Sequence, residues 1–361
     1  MRLSKSIGMT TVPILGRRRR AASVLAWAAL GLGIAPPMST AEVDVRPRPE
    51  ARRVDVRIDG APFTAYVWPE SLTKPVLFPV RTALGTLVTR GFPLEPRAGE
   101  RVDHPHQAGF WFTYGDVNGV DFWGNSKALA PEEQAKKGRI VQREVREARG
   151  GKDRGTLAVG LDWIMPDGHR VLEETTSFVF RGDTTSRTID RTTVLTADEP
   201  VVFADTKEGM LGLRVARSLE QPSDRPEVFT NASGHATTVP VLDNEGVTGL
   251  YHSSEGLVGD AVWGTRARWV ALAGRIGKED VVLLLLDHPG NPGYPTYWHA
   301  RGYGLFAANP LGQKDFSEGK QVLRFHLDER ASATFRYRLV IRSEPYSAER
   351  AEADWKAFAA E

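Results

Sequence analysis

Between Asp103 and Trp123 the chain gathers His104, His106, Gln107, Trp111, Tyr114, Asp116, Asn118, Asp121 and Trp123 into one short run. Pro105 favours an extended backbone at the residue before it. Alternate side chains of an extended strand share a face, so His104 and His106 are expected to point into one site. Imidazole titrates near neutral pH, which suits proton transfer to and from a substrate. Two imidazoles on a strand can equally present a pair of metal ligands. Trp111 and Trp123 offer flat apolar faces on which a sugar ring stacks, and Gln107, Asp116, Asn118 and Asp121 can hold its hydroxyls. The competing reading of Gly115–Gly119 is a plain turn whose Gly and Asn serve backbone angles.

Two later blocks carry similar chemistry. In Asp205-Thr206-Lys207-Glu208-Gly209, a strand would put Asp205 and Lys207 on one face and Glu208 on the other, whereas a bend would let all three converge. A carboxylate beside an ammonium supplies one group that accepts a proton and one that stabilises an anion. The last block runs from Asp287-His288-Pro289 through Tyr297-Trp298-His299-Ala300-Arg301 and Tyr303 to Asn309. If its middle is extended, His299 and Arg301 share a face and Trp298 takes the other. Arg301 suits a carboxylate or a developing negative charge. Asp287, Trp298, Tyr303 and Asn309 are candidate substrate contacts. His235 and His252 stand alone and are weaker candidates. Phosphate-binding loops, H-E-x-x-H and the serine nucleophile elbow do not occur, which argues against nicotinamide binding, phosphoryl transfer and serine hydrolysis.

The elements that must position these blocks read as strands. Val54–Ile58, Phe63–Trp68, Pro75–Phe92, His169–Phe180, Thr184–Thr196, Val281–Leu286 and Thr334–Ile341 are rich in β-branched and aromatic residues and are bounded by turn residues. Pro131–Lys137 reads as a short helix. Ser347–Ala360 reads as a longer one, capped by Ser347, with Ala351, Trp355 and Phe358 on one face. The expected fold is mostly β, one large sandwich domain over residues 42–361 with long loops and a C-terminal helix.

Residues 1–41 read as a signal peptide. Four arginines (Arg17 to Arg20) precede an apolar run too short to span a bilayer, and small residues lead to a cut after Ala41. The arginine cluster leaves a twin-arginine route open, and the mature protein is expected in the periplasm or outside the cell. The leader carries six basic and no acidic residues. Without it 41 basic residues face 45 acidic ones, a net charge of −4, so no basic field argues for nucleic acid. The absence of cysteine excludes disulfides, thiol nucleophiles and iron–sulfur ligation.

The blocks Asp103-His104-Pro105-His106 with Gly115–Trp123, Asp205–Gly209, and Asp287–Pro289 with Pro295–His299 and Gly304–Pro310 together resemble a family of exported bacterial proteins. It is known as a domain of unknown function or as "methane oxygenase PmoA" (PmoA-like). The resemblance spans roughly residues 50–345. A methane monooxygenase subunit of that name sits in the membrane, and this chain lacks the apolar spans. The resemblance implies instead polysaccharide or glycoside catabolism on a galactose-mutarotase-like β-supersandwich. It departs from the family's His-Pro-His-His at Gln107, which removes a third imidazole from any metal site.

The leading expectation is a carbohydrate-active enzyme, an epimerase, lyase or hydrolase, acting on a small sugar or an oligosaccharide without a cofactor. His104, His106 and His299 would transfer protons, Glu208 or Asp205 would supply the carboxylate, and Lys207 and Arg301 would stabilise negative charge. The alternatives are a metal-dependent oxygenase-type enzyme, with a divalent transition metal on His104, His106, Glu208 and His299, and a non-catalytic glycan-binding protein.

Overall fold

The computed structural model describes residues 41–361, and the expected leader lies outside them except for Ala41. Residue-by-residue alternation of burial builds the sheets. In Ser186–Ala197 every second side chain is buried, and the strand pairs with Arg170–Gly182 on one side and Ser332–Arg342 on the other. Between the first two of these, Asp183 turns the chain by accepting hydrogen bonds from the Thr185 and Ser186 N–H groups, each at 2.7 Å.

Two antiparallel sheets face each other. One has nine strands, ordered Tyr297–Arg301, Leu305–Asn309, Gly209–Arg214, Phe110–Tyr114, Val76–Leu77, Ala61–Val67, Arg53–Ile58, Glu42–Arg48 and Gly151–Lys152. The other has eight, from Leu250–Ser253 through Trp269–Ile276, Glu279–Asp287, Ser332–Arg342, Ser186–Ala197, Arg170–Gly182 and Gly155–Ile164 to Arg139–Arg149. The main core lies between them and includes Phe110, Phe112, Leu211, Trp298 and Phe306 from the first and Trp163, Phe178, Leu283 and Phe335 from the second. The mostly β sandwich with a C-terminal helix is therefore present.

The outer face of the nine-stranded sheet has a smaller apolar layer of its own: Ala65, Val67, Val76, Phe78, Trp111, Trp123, Leu305 and Ala307. Strand alternation turns these neighbours of inward residues outward, and their apolar side chains gather there. Gly212 is needed here. A Cβ on it would lie 2.5 Å from the Trp111 ring, which rests across the strand.

The closing helix runs from Ala348 to Ala359, and the Ser347 hydroxyl accepts the Arg350 N–H. Ala351, Trp355 and Phe358 pack on Trp269, Leu284, Leu286 and Val340. Two expectations are corrected. Only Val76–Leu77 of the Pro75–Phe92 stretch is a strand, because beyond it side chains take over the backbone donors: Thr89 Oγ1 accepts from Val80 N, and Thr82 Oγ1 from Leu84 N and Thr86 N. The helix at Pro131 ends at Gln134. Among the described residues no helix is long and apolar enough to cross a membrane.

Candidate functional site

A cleft of about 530 Å³ opens at the edge of the nine-stranded sheet, and the outer apolar layer contributes Trp123 to its lining. Its lining draws on all three sequence blocks: His104, His106, Gln107, Asp121 and Trp123, with Gly124, from the first, Lys207 and Glu208 from the second, and His299, Arg301 and Tyr303 from the third.

His104 and His106 arrive there by a different route from the one expected. The segment after Val102 is not a strand. His104 has φ +44°, and the Gln107 N–H donates to its carbonyl at 2.9 Å, closing a turn around Pro105. A left-handed backbone at a non-glycine residue costs on the order of 1–3 kcal/mol and persists only where the surroundings over-determine it. Arg90 supplies that constraint. Its guanidinium is completely buried and donates to the carbonyls of Asp103 (2.9 Å), His104 (3.1 Å) and Gln107 (2.9 Å), groups that a strand would have spent on a neighbour. The two imidazoles still meet, edge to face, with centroids 5.6 Å apart.

Asp103 is the hinge of this corner. Its carboxylate accepts from Arg90 at 2.7 Å, from Arg214 at 2.6 Å and from His104 Nδ1 at 2.7 Å. Burial alone would raise the Asp103 carboxyl; Arg214, the His104 hydrogen bond and Arg90 outweigh it and hold the group well below the usual carboxylate range. The His104 ring lies flat on Tyr303, with centroids 5.0 Å apart and planes 5° apart, and Arg214 sits 4.8 Å from the centroid of the same tyrosine ring. With Nδ1 engaged, His104 keeps Nε2 for another partner. Gln107 is fully buried, and its Oε1 accepts from Arg214 at 2.6 Å. Lys74, also buried, donates to the His106 carbonyl at 2.8 Å. Burial pulls that lysine down to about 7, against the raising effect of Asp121.

His299 comes from the extended strand Tyr297–Arg301, whose alternation puts His299 and Arg301 on the cleft side and Trp298 in the main core. Its Nδ1 is 2.9 Å from the Lys207 carbonyl, which can only accept, so Nδ1 carries the proton and Nε2 keeps its lone pair. Burial pulls His299 down to about 4, opposed by the Lys207 carbonyl and reinforced by Arg301 and Lys207. His106 is held lower still by burial, with Lys74 and His104 next in weight. Lys207 and Glu208 pair at 3.2 Å.

These imidazoles set a sign for acid stability. His299 is neutral in the fold down to about pH 4, while an unfolded imidazole charges at its ordinary 6.5. Between those values the unfolded chain binds the extra proton, so stability rises with pH there and is lost as pH falls. Denaturation midpoints are expected to drop between about pH 6.5 and about pH 4, and less steeply in His299→Gln. An equally steep drop in that variant would refute a neutral buried His299.

Seven expected contacts sit outside the cleft lining, each held by a structural partner. Trp111 lies beneath Trp123, with centroids 5.3 Å apart, and both rings are almost wholly covered, so neither is an open stacking platform although Trp123 reaches the lining. Asp116 accepts from Gly119 N, and Asn118 (φ +50°) bonds Pro200 and Val202, which makes Gly115–Gly119 the turn of the competing reading. Asp205 points away from Lys207 and Glu208 and accepts the backbone N–H groups of Lys314, Leu323 and Arg324. Asp287 is fully buried at the end of the other sheet, taking Asn291 Nδ2 and Thr296 N. Burial pushes it up to about 7. Trp298 is a core residue that donates to the Ala267 carbonyl. Asn309 donates to the Thr206 carbonyl at 2.8 Å and so steadies the residue before Lys207. Asp121 does reach the cleft, tied to Lys137 at 2.6 Å.

Sequence reading missed Lys74, Arg90, Arg214 and Trp263. Trp263 stands at the rim, 6.5 Å from the His299 ring and 5.4 Å from the Arg301 guanidinium, measured from its centroid. Only their presence in the chain was visible; nothing in their local spacing marks them.

The alternative metal set shares the cleft, but its donors are differently engaged. Among the described residues no group of three or more His, Cys, Asp or Glu side chains is placed to hold a metal ion. Two of the imidazoles give Nδ1 to Asp103 and to Lys207, and Glu208 pairs with Lys207.

The model of a family of unknown function (DUF6807) matches residues 53–356. The chain belongs to that family. The family description assigns no reaction, and the methane-oxygenase label gains no support from the match. No curated protein matches the chain. Among solved structures, the chain is similar to a galactose mutarotase-like protein from Clostridium acetobutylicum, at 8% identity and TM-score 0.33, over 84% of this chain and 99% of that one. It is similar to a beta-arabinopyranosidase at 11% identity and TM-score 0.30, over 84% of this chain and 39% of that one. It is also similar to a glycoside hydrolase family 97 enzyme from Pseudoalteromonas sp. strain K8, crystallised with acarbose, at 10% identity and TM-score 0.27, over 85% of this chain and 35% of that one. The chain thus spans well under half the length of the two hydrolases. At these scores the likenesses transfer neither substrate nor reaction.

Proposed function

We propose that the cleft is the active site of an exported enzyme that acts on a sugar or glycoside by acid/base chemistry, as an epimerase, lyase or hydrolase. The observation that supports it best is the pair of imidazoles, His104 and His299, far apart in the chain, each anchored through Nδ1 and each lining the same cleft. An anchored imidazole with a free Nε2 is the arrangement a general acid or base needs. In this reading His299, held neutral, accepts a proton from a carbon or hydroxyl of the substrate. His104, entering as the imidazolium whose Nδ1–H Asp103 accepts, returns a proton from Nε2 to the opposite side or to the leaving oxygen and is left neutral. Lys207 and Arg301 lower the cost of charge that develops on oxygen in between. His106 and Glu208 complete the polar wall, and Tyr303 carries His104 on its face.

The test is a panel of free sugars and glycosides incubated with the purified protein in deuterated buffer and followed by NMR. Epimerisation, bond cleavage or deuterium entering a sugar carbon is the expected result. No conversion and no binding across the panel would overturn the proposal, and binding without conversion would favour a glycan-binding role instead.

A further inference from the structure

The cleft does not end at Arg301 and Tyr303. Both residues also line a second hollow of about 530 Å³, together with Arg101, Gln221, Asp260 and Trp263. The two hollows meet at the Arg301 side chain, which is exposed between two rings: Trp263, with its centroid 5.4 Å from the guanidinium, and Tyr303, at 5.9 Å.

Charge around the first hollow is unbalanced. Lys74, Arg90, Lys137, Lys207, Arg214 and Arg301 stand in or directly beneath its wall. Only Asp103, Asp121 and Glu208 oppose them, and each is already taken: Asp103 by Arg90 and Arg214, Asp121 by Lys137, and Glu208 by Lys207. Of the acids around the second hollow, Glu227 is engaged by Arg101, Asp224 lies 3.8 Å from Arg225, and Asp260 accepts from Gln221 Nε2 at 2.7 Å; Glu220, beneath them, is held by Arg101 and Arg217. Among the described residues no carboxylate is in salt-bridge reach of the Arg301 guanidinium, and it donates no hydrogen bond; its only close partners are the two aromatic faces. A guanidinium oriented by rings but left without an acceptor is suited to a planar anion, which it can grip with two parallel N–H groups.

Resting on the sugar-enzyme reading above, we infer that the substrate is an acidic saccharide of at least two units, whose carboxylate sits on Arg301 at the junction while its next unit lies in the second hollow against Trp263. The exposed part of the Trp263 ring, about a third of the residue, supplies there the apolar face that Trp111 and Trp123 do not.

Matched ligands separate this inference from the reading beneath it. Affinities by calorimetry are compared for a uronate-containing disaccharide and for the same disaccharide with its carboxyl reduced to a hydroxymethyl group. The acidic form is expected to bind about tenfold tighter or more, a charge-assisted pair's usual margin. Arg301→Gln, at an exposed position, is expected to weaken the acidic form about tenfold more than the neutral form and so erase that margin. Trp263→Ala is expected to weaken the disaccharide several-fold more than the single uronate. Equal affinities for the matched pair, or an equal loss for both in Arg301→Gln, would overturn the acidic-substrate inference and leave a neutral-sugar enzyme standing. Binding of neither form, with no turnover on any sugar, would sink both.

Discussion

Replacing His299 by alanine is expected to lower kcat/KM on the sugar substrate by about 10²- to 10⁴-fold, the usual contribution of a positioned acid or base, while the protein stays folded. The fold is expected to survive because the imidazole gives only one hydrogen bond, to the Lys207 carbonyl, and that carbonyl lies close enough to the cleft for water to replace it. The loss should fall on kcat more than on KM, since a proton in flight is an interaction of the transition state. His299→Gln, which can restore the hydrogen bond to Lys207 but cannot titrate, should be as inactive as the alanine variant. Steady-state kinetics with thermal denaturation alongside checks both points. A His299→Gln enzyme with wild-type kcat would remove His299 from the chemistry.

Asp103→Asn is expected to harm stability and catalysis together. The carboxylate is the one acidic group that both Arg90 and Arg214 contact, and both guanidinium side chains are completely buried. Taking one partner from a buried ion pair commonly costs about 3–5 kcal/mol, because the remaining charge is left without compensation. Asp103 is itself one-quarter exposed, so water screens part of that penalty and a loss near the lower figure, about 3 kcal/mol, is expected. An amide also presents only one acceptor oxygen where three donors now converge, so His104 Nδ1 loses its anchor or an arginine does. Urea denaturation reads the first effect and kcat the second. A variant as stable as the wild type would mean that Arg90 and Arg214 do not depend on Asp103, and the account of the strained His104 corner would fall with it.

The chain's β character was legible because period-two burial leaves a direct mark on sequence: Ser186–Ala197 shows it residue by residue, Ser332–Arg342 does so as far as Tyr337, and the apolar run inside Glu279–Asp287 marks a strand covered on both faces. The Ser347 cap and the Ala351, Trp355 and Phe358 stripe marked the closing helix in the same local way. Of the site, the placement of His299 and Arg301 against Trp298 followed from alternation along a single strand, a rule that needs no partner.

Local rules stopped where long-range hydrogen bonds set the backbone. Pro105 pointed to an extended His104, but Arg90, fourteen residues earlier in the chain, captures the carbonyls on both sides of that proline and bends it into a turn. On sequence Asp205 and Glu208 are equal candidates for the carboxylate, yet segment 314–324 draws Asp205 away and leaves Lys207 and Glu208 facing the cleft. Buried arginines are the hardest to foresee, since a guanidinium bound for the interior looks the same on paper as one bound for water; its fate depends on which distant carboxylate and carbonyls arrive beside it. Residue types and their periodicity thus sufficed for the sandwich and for the presence of imidazoles and acids. Which of them share a cleft, in which tautomer, and with Arg301 left open against Trp263, follows from contacts between segments about 40 to 110 residues apart, and a short stretch of sequence carries no trace of those.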